Sequence, residues 1–211
     1  MMIDLNNSEK ENLNNLLKDI KEKWAISLLK KINKSKIKTS SVKAKGREFQ
    51  KQIALDISAK FDLIFEKDTG DIEVRQMGQA GVDVILRNEG LKKIPFSIEC
   101  KNTKRFSTSF ITQARNNQKE GTNWILVWKG FKDKPLVILD WDVFLDVILR
   151  NEGLKKNPFT IECKNTKVFS CSFIEQAKNN KKEGTNWLLV WKGYKEKPIA
   201  MLEWDVFLDI L

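Results

Sequence analysis

Apolar residues at helical spacing predict two helices in the first 60 residues. Between Leu13 and Leu28 the apolar positions recur every three or four residues, which predicts a helix over residues 8–32. Ser8 and Glu11 would form a capping box at its start. A second helix is expected to begin at Ser40 or Ser41 and to end near residue 59.

Beyond residue 60, period-two alternation predicts a sheet. In residues 81–88, Val82, Val84 and Leu86 would face one side, opposite Asp83 and Arg87. The order of helix, three strands, helix and strand predicts an α/β fold. The other predicted elements are strands at 61–67, 72–76, 95–102, 123–130 and 135–140, turns at 68–71 and 88–93, a helix at 107–119, and a helix from Trp141.

An internal repeat dominates the second half of the chain. Residues 83–148 (copy one) and 146–211 (copy two) align without gaps at an offset of 63, with 50 of 66 positions identical. Copy two has no counterpart of residues 1–80, so it repeats only part of a domain. The sequence therefore predicts an N-terminal helix and basic linker (1–39), a domain (40–148) and a partial duplicate of its C-terminal half (149–211).

The junction between the copies carries two conflicting patterns. Residues 141–149, WDVFLDVIL, favour a helix as the end of copy one but a strand as the start of copy two. Asp146 would match Asp83 only in the strand form. We therefore expect copy one to hold the complete site, because it is contiguous with the N-terminal block. A swapped dimer, in which copy two docks on another molecule's N-terminal block, is the alternative.

Charge and composition narrow the chemistry. The chain has no histidine, which excludes histidine-based catalysis and imidazole metal sites. Lys and Arg number 38 against 28 Asp and Glu, a net charge of +10 that suits a nucleic-acid partner. Lys-rich surfaces also arise from AT-rich coding. Residues 30–47 hold eight cationic side chains and no acidic one, which fits either a solvated linker or a phosphate-binding arm.

The cysteines and the N-terminus indicate the compartment. There are three cysteines, and Cys100 and Cys163 occupy the same position in the two copies, so a disulfide framework is not expected. The polar N-terminus is unlike a signal peptide, and the apolar runs are too short to span a membrane. These features predict a reducing, cytoplasmic location.

Three polar residues on neighbouring predicted strands form the main candidate site. Asp83 lies on one strand, and Glu99 and Lys101 share one face of the next. If the strands pair, two carboxylates meet, and both stay ionised only with a cation between them. Mg²⁺ suits such oxygen ligands, with Mn²⁺ as an alternative. Lys101 could orient an attacking water or stabilise a developing anion.

The sequence GVDVIL followed by IECK resembles the PD-(D/E)xK nuclease superfamily. Residues 45–50, KGREFQ, are similar to the first core helix of its archaeal Holliday-junction-resolvase and Mrr-like restriction branches. The resemblance implies a restriction-endonuclease-like αβββαβ core, here with an N-terminal helix and an appended partial α/β repeat. It adds Glu48 to the metal site and Gln113 as an auxiliary residue. Val82 stands where the family usually has proline.

The resemblance implies a magnesium-dependent DNA endonuclease of junction-resolving, restriction or homing type. Asp83, Glu99 and Glu48 would hold the metal. DNA is the expected partner, and a homodimer is possible. Neither membrane association nor a small-molecule cofactor is expected. Alternatives are a DNA-binding protein whose cleavage was lost through the duplication, and an RNA-cleaving enzyme. The expected nucleic-acid contacts are Lys36, Lys38, Lys43, Lys45, Arg47, Lys104 and Arg105, and the degenerate copy-two site is Asp146, Glu162, Lys164 and Gln176.

Overall fold

A computed structural model describes residues 39–76, 78–130, 133–150 and 158–211. The predicted helix over residues 8–32, and Lys36 and Lys38, lie outside the described residues. The chain divides into two compact units, residues 1–44 and 45–211. In the described ranges, no helix has the length and apolar character needed to cross a membrane.

The described residues form a mixed α/β structure with one eight-stranded sheet, as the α/β prediction requires. The strand order across the sheet is β1-β2-β3-β4-β5-β8-β7-β6. The helices are α1 (Thr39–Phe61), α2 (Asn88–Lys93), α3 (Ser109–Asn116), α4 (Trp141–Arg150), α5 (Ser172–Asn179) and α6 (Trp204–Ile210). The strands are β1 (Ile72–Val74), β2 (Val84–Leu86), β3 (Phe96–Asn102), β4 (Asn123–Lys129), β5 (Leu136–Asp140), β6 (Phe159–Asn165), β7 (Asn186–Lys192) and β8 (Ile199–Glu203).

The two copies repeat one local arrangement. In copy one, β3 and β4 are parallel and joined through α3, and β5 then returns antiparallel to β4. In copy two, β6, α5, β7 and β8 have the same order and pairing. Parallel strands need a crossover connection, and each copy supplies one as a helix. The repeated sequence therefore produces a repeated fold.

The copies meet where β5 pairs antiparallel with β8 in the middle of the sheet. Ile138 lies opposite Met201, its counterpart in copy two. Leu136 pairs with Glu203, and the equivalent residues Asp140 and Ile199 also pair. This register relates the copies by an approximate two-fold axis through Ile138 and Met201.

Two hydrophobic cores cover the two faces of the sheet. On one face, residues of α1, α4 and α6, such as Ile53, Phe144 and Phe207, pack on the strands. The core on the α3 and α5 face consists wholly of residues that are equivalent in the two copies. Its members are the pairs Ile111/Ile174, Ala114/Ala177, Trp124/Trp187, Leu126/Leu189, Trp128/Trp191, Leu136/Ile199 and Ile138/Met201.

Two of the predicted local elements are wrong. The strand expected over residues 61–67 is reduced to a single bridge between Phe65 and Ile72. Asp62 has a left-handed φ of 50°, which interrupts an extended run. The turn expected at residues 88–93 is the short helix α2, in which Lys92 bonds Glu89 one turn earlier at 2.7 Å.

The junction between the copies adopts the helical form. Helix α4 runs through residues 147–149, the same VIL sequence that forms β2 in copy one. Phe144 and Ile148 on α4 are buried against the sheet. In copy one the VIL segment pairs with β1, for which copy two has no counterpart, so burial of the helix decides the conformation.

Candidate active site

The pairing of β2 with β3 places Asp83 beside the middle of β3. Val84 lies opposite Ile98, and the Asp83 amide donates to the Ile98 carbonyl at 2.9 Å. The Asp83 carboxylate then accepts a 2.8 Å hydrogen bond from the Cys100 amide. Asp83 is thus held over the strand that carries Glu99, with both its backbone and its side chain fixed.

Glu99 is the buried centre of the site, with its side chain 2% exposed. One carboxylate oxygen accepts from Lys101 Nζ at 2.7 Å and from Gln113 Nε2 at 2.6 Å. The other accepts from Asn117 Nδ2 at 2.9 Å. Every carboxylate oxygen of Glu99 therefore has a donor, which is what a buried acid requires.

Asp83 is the less compensated of the two acids. Burial, and next the nearby Glu99 carboxylate, raise the pKa of Asp83 to about 6 against the opposing effects of the Cys100 amide and Lys101. The Gln50 side chain of helix α1 lies close to Asp83 and also favours its charged form. Burial therefore makes the charged form of Asp83 less favourable than that of an aspartate on the surface.

Glu48 is not brought into this cluster. It lies exposed on α1, whereas Phe49 is buried and Gln50 reaches Asp83. Residues two apart on a helix point about 200° apart, so Glu48 and Gln50 leave α1 on different sides. Within the described ranges, no group of three or more His, Cys, Asp or Glu side chains is close enough to hold a metal ion.

Asn117 is a site residue that the sequence reasoning missed. Besides Glu99, its amide donates to the carbonyl of Gly81 at 3.2 Å, which ties helix α3 to the segment before β2. Asn117 follows Gln113 by four residues, so both side chains lie on one helix face. That spacing was visible in the sequence and could have identified it.

Exposed cations lie on two segments that meet near the end of β3. Lys104 and Arg105 are exposed in the loop after β3, and Lys45 and Arg47 are exposed on α1. Asn102 Nδ2 contacts the Lys45 carbonyl at 3.4 Å, which brings these two regions together. Lys43 is exposed as well, in the compact unit of residues 1–44.

A basic cavity of about 420 Å³ lies next to this region, where α1 meets β1. The Arg75 amide donates to the Asp83 carbonyl at 2.9 Å, so this cavity adjoins the acidic pair. Its lining is Arg47, Lys51, Phe65, Val74, Arg75 and Gln76.

Copy two reproduces only half of the site. Lys164 contacts Glu162 at 2.7 Å and Asn180 donates to Glu162 at 3.0 Å, as their counterparts do in copy one. These hydrogen bonds, with that of Lys164 the largest, lower the pKa of Glu162. Asp146, however, lies on α4 and lines a different cavity, and Gln176 is exposed. Glu162 therefore lacks the second carboxylate.

Two residues of the copy-one site carry oxygen donors of the kind that a divalent cation would use. The Asp83 and Glu99 carboxylates are close enough to influence each other electrostatically, carboxylate oxygens are the ligand type that Mg²⁺ prefers, and a cation would favour the charged form of both. Asp83 and Glu99 are the residues that would hold it.

None of the family models, curated proteins or solved structures compared with this chain matches it. Any function assigned to the chain therefore depends on the side chains grouped where β2 meets β3.

Proposed function

We propose that the protein is a magnesium-dependent DNA endonuclease of the PD-(D/E)xK type. The observation that carries the proposal is the cluster of Asp83, Glu99 and Lys101, in which two acids adjoin and the lysine contacts the buried one at 2.7 Å. The element order α1-β1-β2-α2-β3-α3-β4 supports it, since it differs from an αβββαβ core only by the short helix α2.

Each residue of the cluster has a definite task in this proposal. Asp83 and Glu99 would hold the cation, and the chemistry that it would supply is polarisation of a phosphate and a lower pKa of bound water. Lys101 is oriented by Glu99 and by the Phe110 ring, 5.9 Å from its Nζ, so its charge can stabilise the developing anion. Gln113 and Asn117 hold the Glu99 carboxylate in place.

The exposed cations around the candidate site favour a nucleic acid as the substrate. Lys45, Arg47, Lys104 and Arg105 are exposed near the acidic pair and can neutralise backbone phosphates without reading sequence. The net charge of +10 favours the same partner. Binding to backbone phosphates in this way is compatible with a four-way junction, a duplex or a DNA end as the substrate.

The test uses supercoiled plasmid, linear duplex, single strand, a four-way junction and a labelled RNA. Each is incubated with Mg²⁺, with Mn²⁺ and with EDTA. Asp83→Ala should abolish cleavage, and the matched control Asp146→Ala, at the equivalent position of copy two, should retain it. Cleavage of RNA alone would change the substrate class.

Loss of activity in both variants, or cleavage in EDTA, would contradict the proposed site. DNA binding without cleavage in either metal would replace the proposal with a DNA-binding protein whose cleavage was lost.

A further inference from the structure

The contact between the copies has the reciprocal form of a two-fold dimer interface. In such an interface, residue i of one subunit contacts residue j of the other, and j contacts i. The Trp141 amide donates to the Pro198 carbonyl at 3.0 Å, and the equivalent Trp204 amide donates to Pro135 at 2.9 Å. The same bond therefore occurs twice, once in each direction.

Self-equivalent contacts lie on the axis itself. Ile138 pairs with Met201 across β5 and β8, and Phe106 contacts Phe169 with ring centroids 4.9 Å apart. The members of each pair occupy the same position in the two copies. Contacts of this kind arise only when a surface meets another example of itself.

The buried core beneath this interface belongs equally to the copies. All fourteen of its buried residues fall into seven equivalent pairs, including Trp124 with Trp187 and Trp128 with Trp191. A continuous sheet and a shared apolar core are typical of permanent subunit interfaces rather than of loosely linked domains.

We infer that copy two takes the place of the second subunit of a two-fold dimer, so that the chain works as a monomer and cuts only one strand of a duplex. The strand-cutting half of this inference rests on the proposed function. The assembly half rests on the reciprocal contacts alone.

Only one end of the sheet can cut. The strands with the two Glu-Lys pairs, β3 and β6, are five strand spacings apart, about 24 Å at about 4.8 Å each. At β3, Asp83 completes the site, whereas at β6 the matching Asp146 belongs to helix α4. A dimer of complete domains would have a working site at both ends.

The duplicate also removes the surface through which such a dimer would form. The edge of β5 is already paired with β8 along five residue positions, so it offers no free backbone groups to another chain. Strand β6 is the end strand on the copy-two side of the described sheet, and Ile161 on it is 49% exposed. Pairing of two chains at β6 is the competing arrangement.

Two measurements on the full chain separate the outcomes. Sedimentation at several protein concentrations, with native protein and with Ile161→Lys at the β6 edge, should give a monomer for both. A native dimer, whether or not Ile161→Lys dissociates it, would overturn the inference.

Cleavage of supercoiled plasmid in Mg²⁺ should convert all of it to the open-circular form before linear DNA accumulates, and Ile161→Lys should cut in the same way. Linear DNA that appears together with open circles would mean paired cuts and would overturn the inference. If Asp83→Ala and native protein both fail to cut, the proposed function fails and with it the strand-cutting half, while a monomer would still support the assembly half.

Discussion

Copy one and copy two have almost the same sequence but different surroundings. Ile98 and Ile161 occupy the same position, yet the first is 0% and the second 49% exposed. The difference comes from β2, which pairs with β3 and has no counterpart beside β6. The candidate site therefore depends on the pairing of β2 with β3, and β2 in turn pairs with β1, which precedes the duplicated segment.

The last helices of the two copies differ in the opposite direction, because here the copy-two residue is the more deeply buried. Trp204 on α6 is 1% exposed and donates to Asp56 of α1 at 3.1 Å, whereas its counterpart Trp141 on α4 is only half-buried. Lys60 of α1 also contacts Asp209 of α6 at 2.7 Å. Helix α1 thus serves both copies: it reaches Asp83 in copy one and covers the final helix of copy two.

The largest effect should come from removing the buried acid of each copy. Glu99→Gln should lower the rate of DNA cleavage by about a hundredfold or more, because Asp83 would lose its partner carboxylate. Glu162→Gln should leave the rate within about twofold, since the copy-two site is incomplete. Initial rates at saturating Mg²⁺ measure both. Equal losses would show that both copies contribute to catalysis.

Truncating the two equivalent isoleucines should lower the free energy of unfolding by different amounts. Ile98→Ala should lower the free energy of unfolding by about 2–5 kcal/mol, and Ile161→Ala by less than about 1 kcal/mol, because only the first leaves a cavity. Urea titration followed by tryptophan fluorescence provides the measurement. A large cost at Ile161 would mean that β6 is covered by a partner.

The pairing of β1 with β2, which has no equivalent beside copy two, should give the fold a distinctive acid response. A hydrogen bond from Arg87, at 2.9 Å, holds the pKa of Glu73 below its usual value of 4.5. The charged form of Glu73 therefore stabilises the fold above pH 4.5, and this contribution is lost as the pH falls through the lowered pKa. Glu73→Gln should cost about 1 kcal/mol at pH 7 and progressively less below pH 4.5.

Thermal unfolding of Glu73→Gln between pH 3 and 7 tests this response. Glu89→Gln is the matched control, because the Glu89–Lys92 pair is exposed to solvent and should leave the profile unchanged. A constant difference at every pH for Glu73→Gln would contradict the assignment.

The smallest effect should come from the two tryptophans. Trp204→Phe removes the hydrogen bond to Asp56 from a buried position and should lower the free energy of unfolding by about 1 kcal/mol. Trp141→Phe should lower the free energy of unfolding by only a few tenths of a kcal/mol, since Trp141 is only half-buried. Denaturant midpoints of the two variants would reverse in order if α1 covered α4 instead.

Local pattern predicted the strands that carry Asp83, Glu99 and Lys101, because period-two alternation fixes which residues share a face. It could not choose between strand and helix for the VIL sequence, since the same letters form β2 in one copy and part of α4 in the other. Tertiary pairing decides that choice. Helix phase, which sends Gln50 rather than Glu48 to Asp83, depends on which side of α1 is buried.

The pairing of β5 with β8 was also beyond the sequence pattern. Strands β5 and β8 are both apolar, and the periodicity of neither one predicts that it pairs with the other. Long-range pairing of this kind depends on the packing of both helix layers, which no short window of sequence contains.

The two copies differ in the exposure of their cysteines, which allows one copy to be labelled selectively. Cys163 and Cys171 are exposed and both lie in copy two, whereas Cys100, the copy-one equivalent of Cys163, is buried and its pKa is raised well above the usual value by desolvation. The thiolate is the form that reacts with maleimides and iodoacetamides. A thiol dye applied to the native protein should therefore mark copy two alone, so that fluorescence can follow the protein on DNA without a substitution, and slow reaction at Cys100 would report opening of the β2–β3 pair.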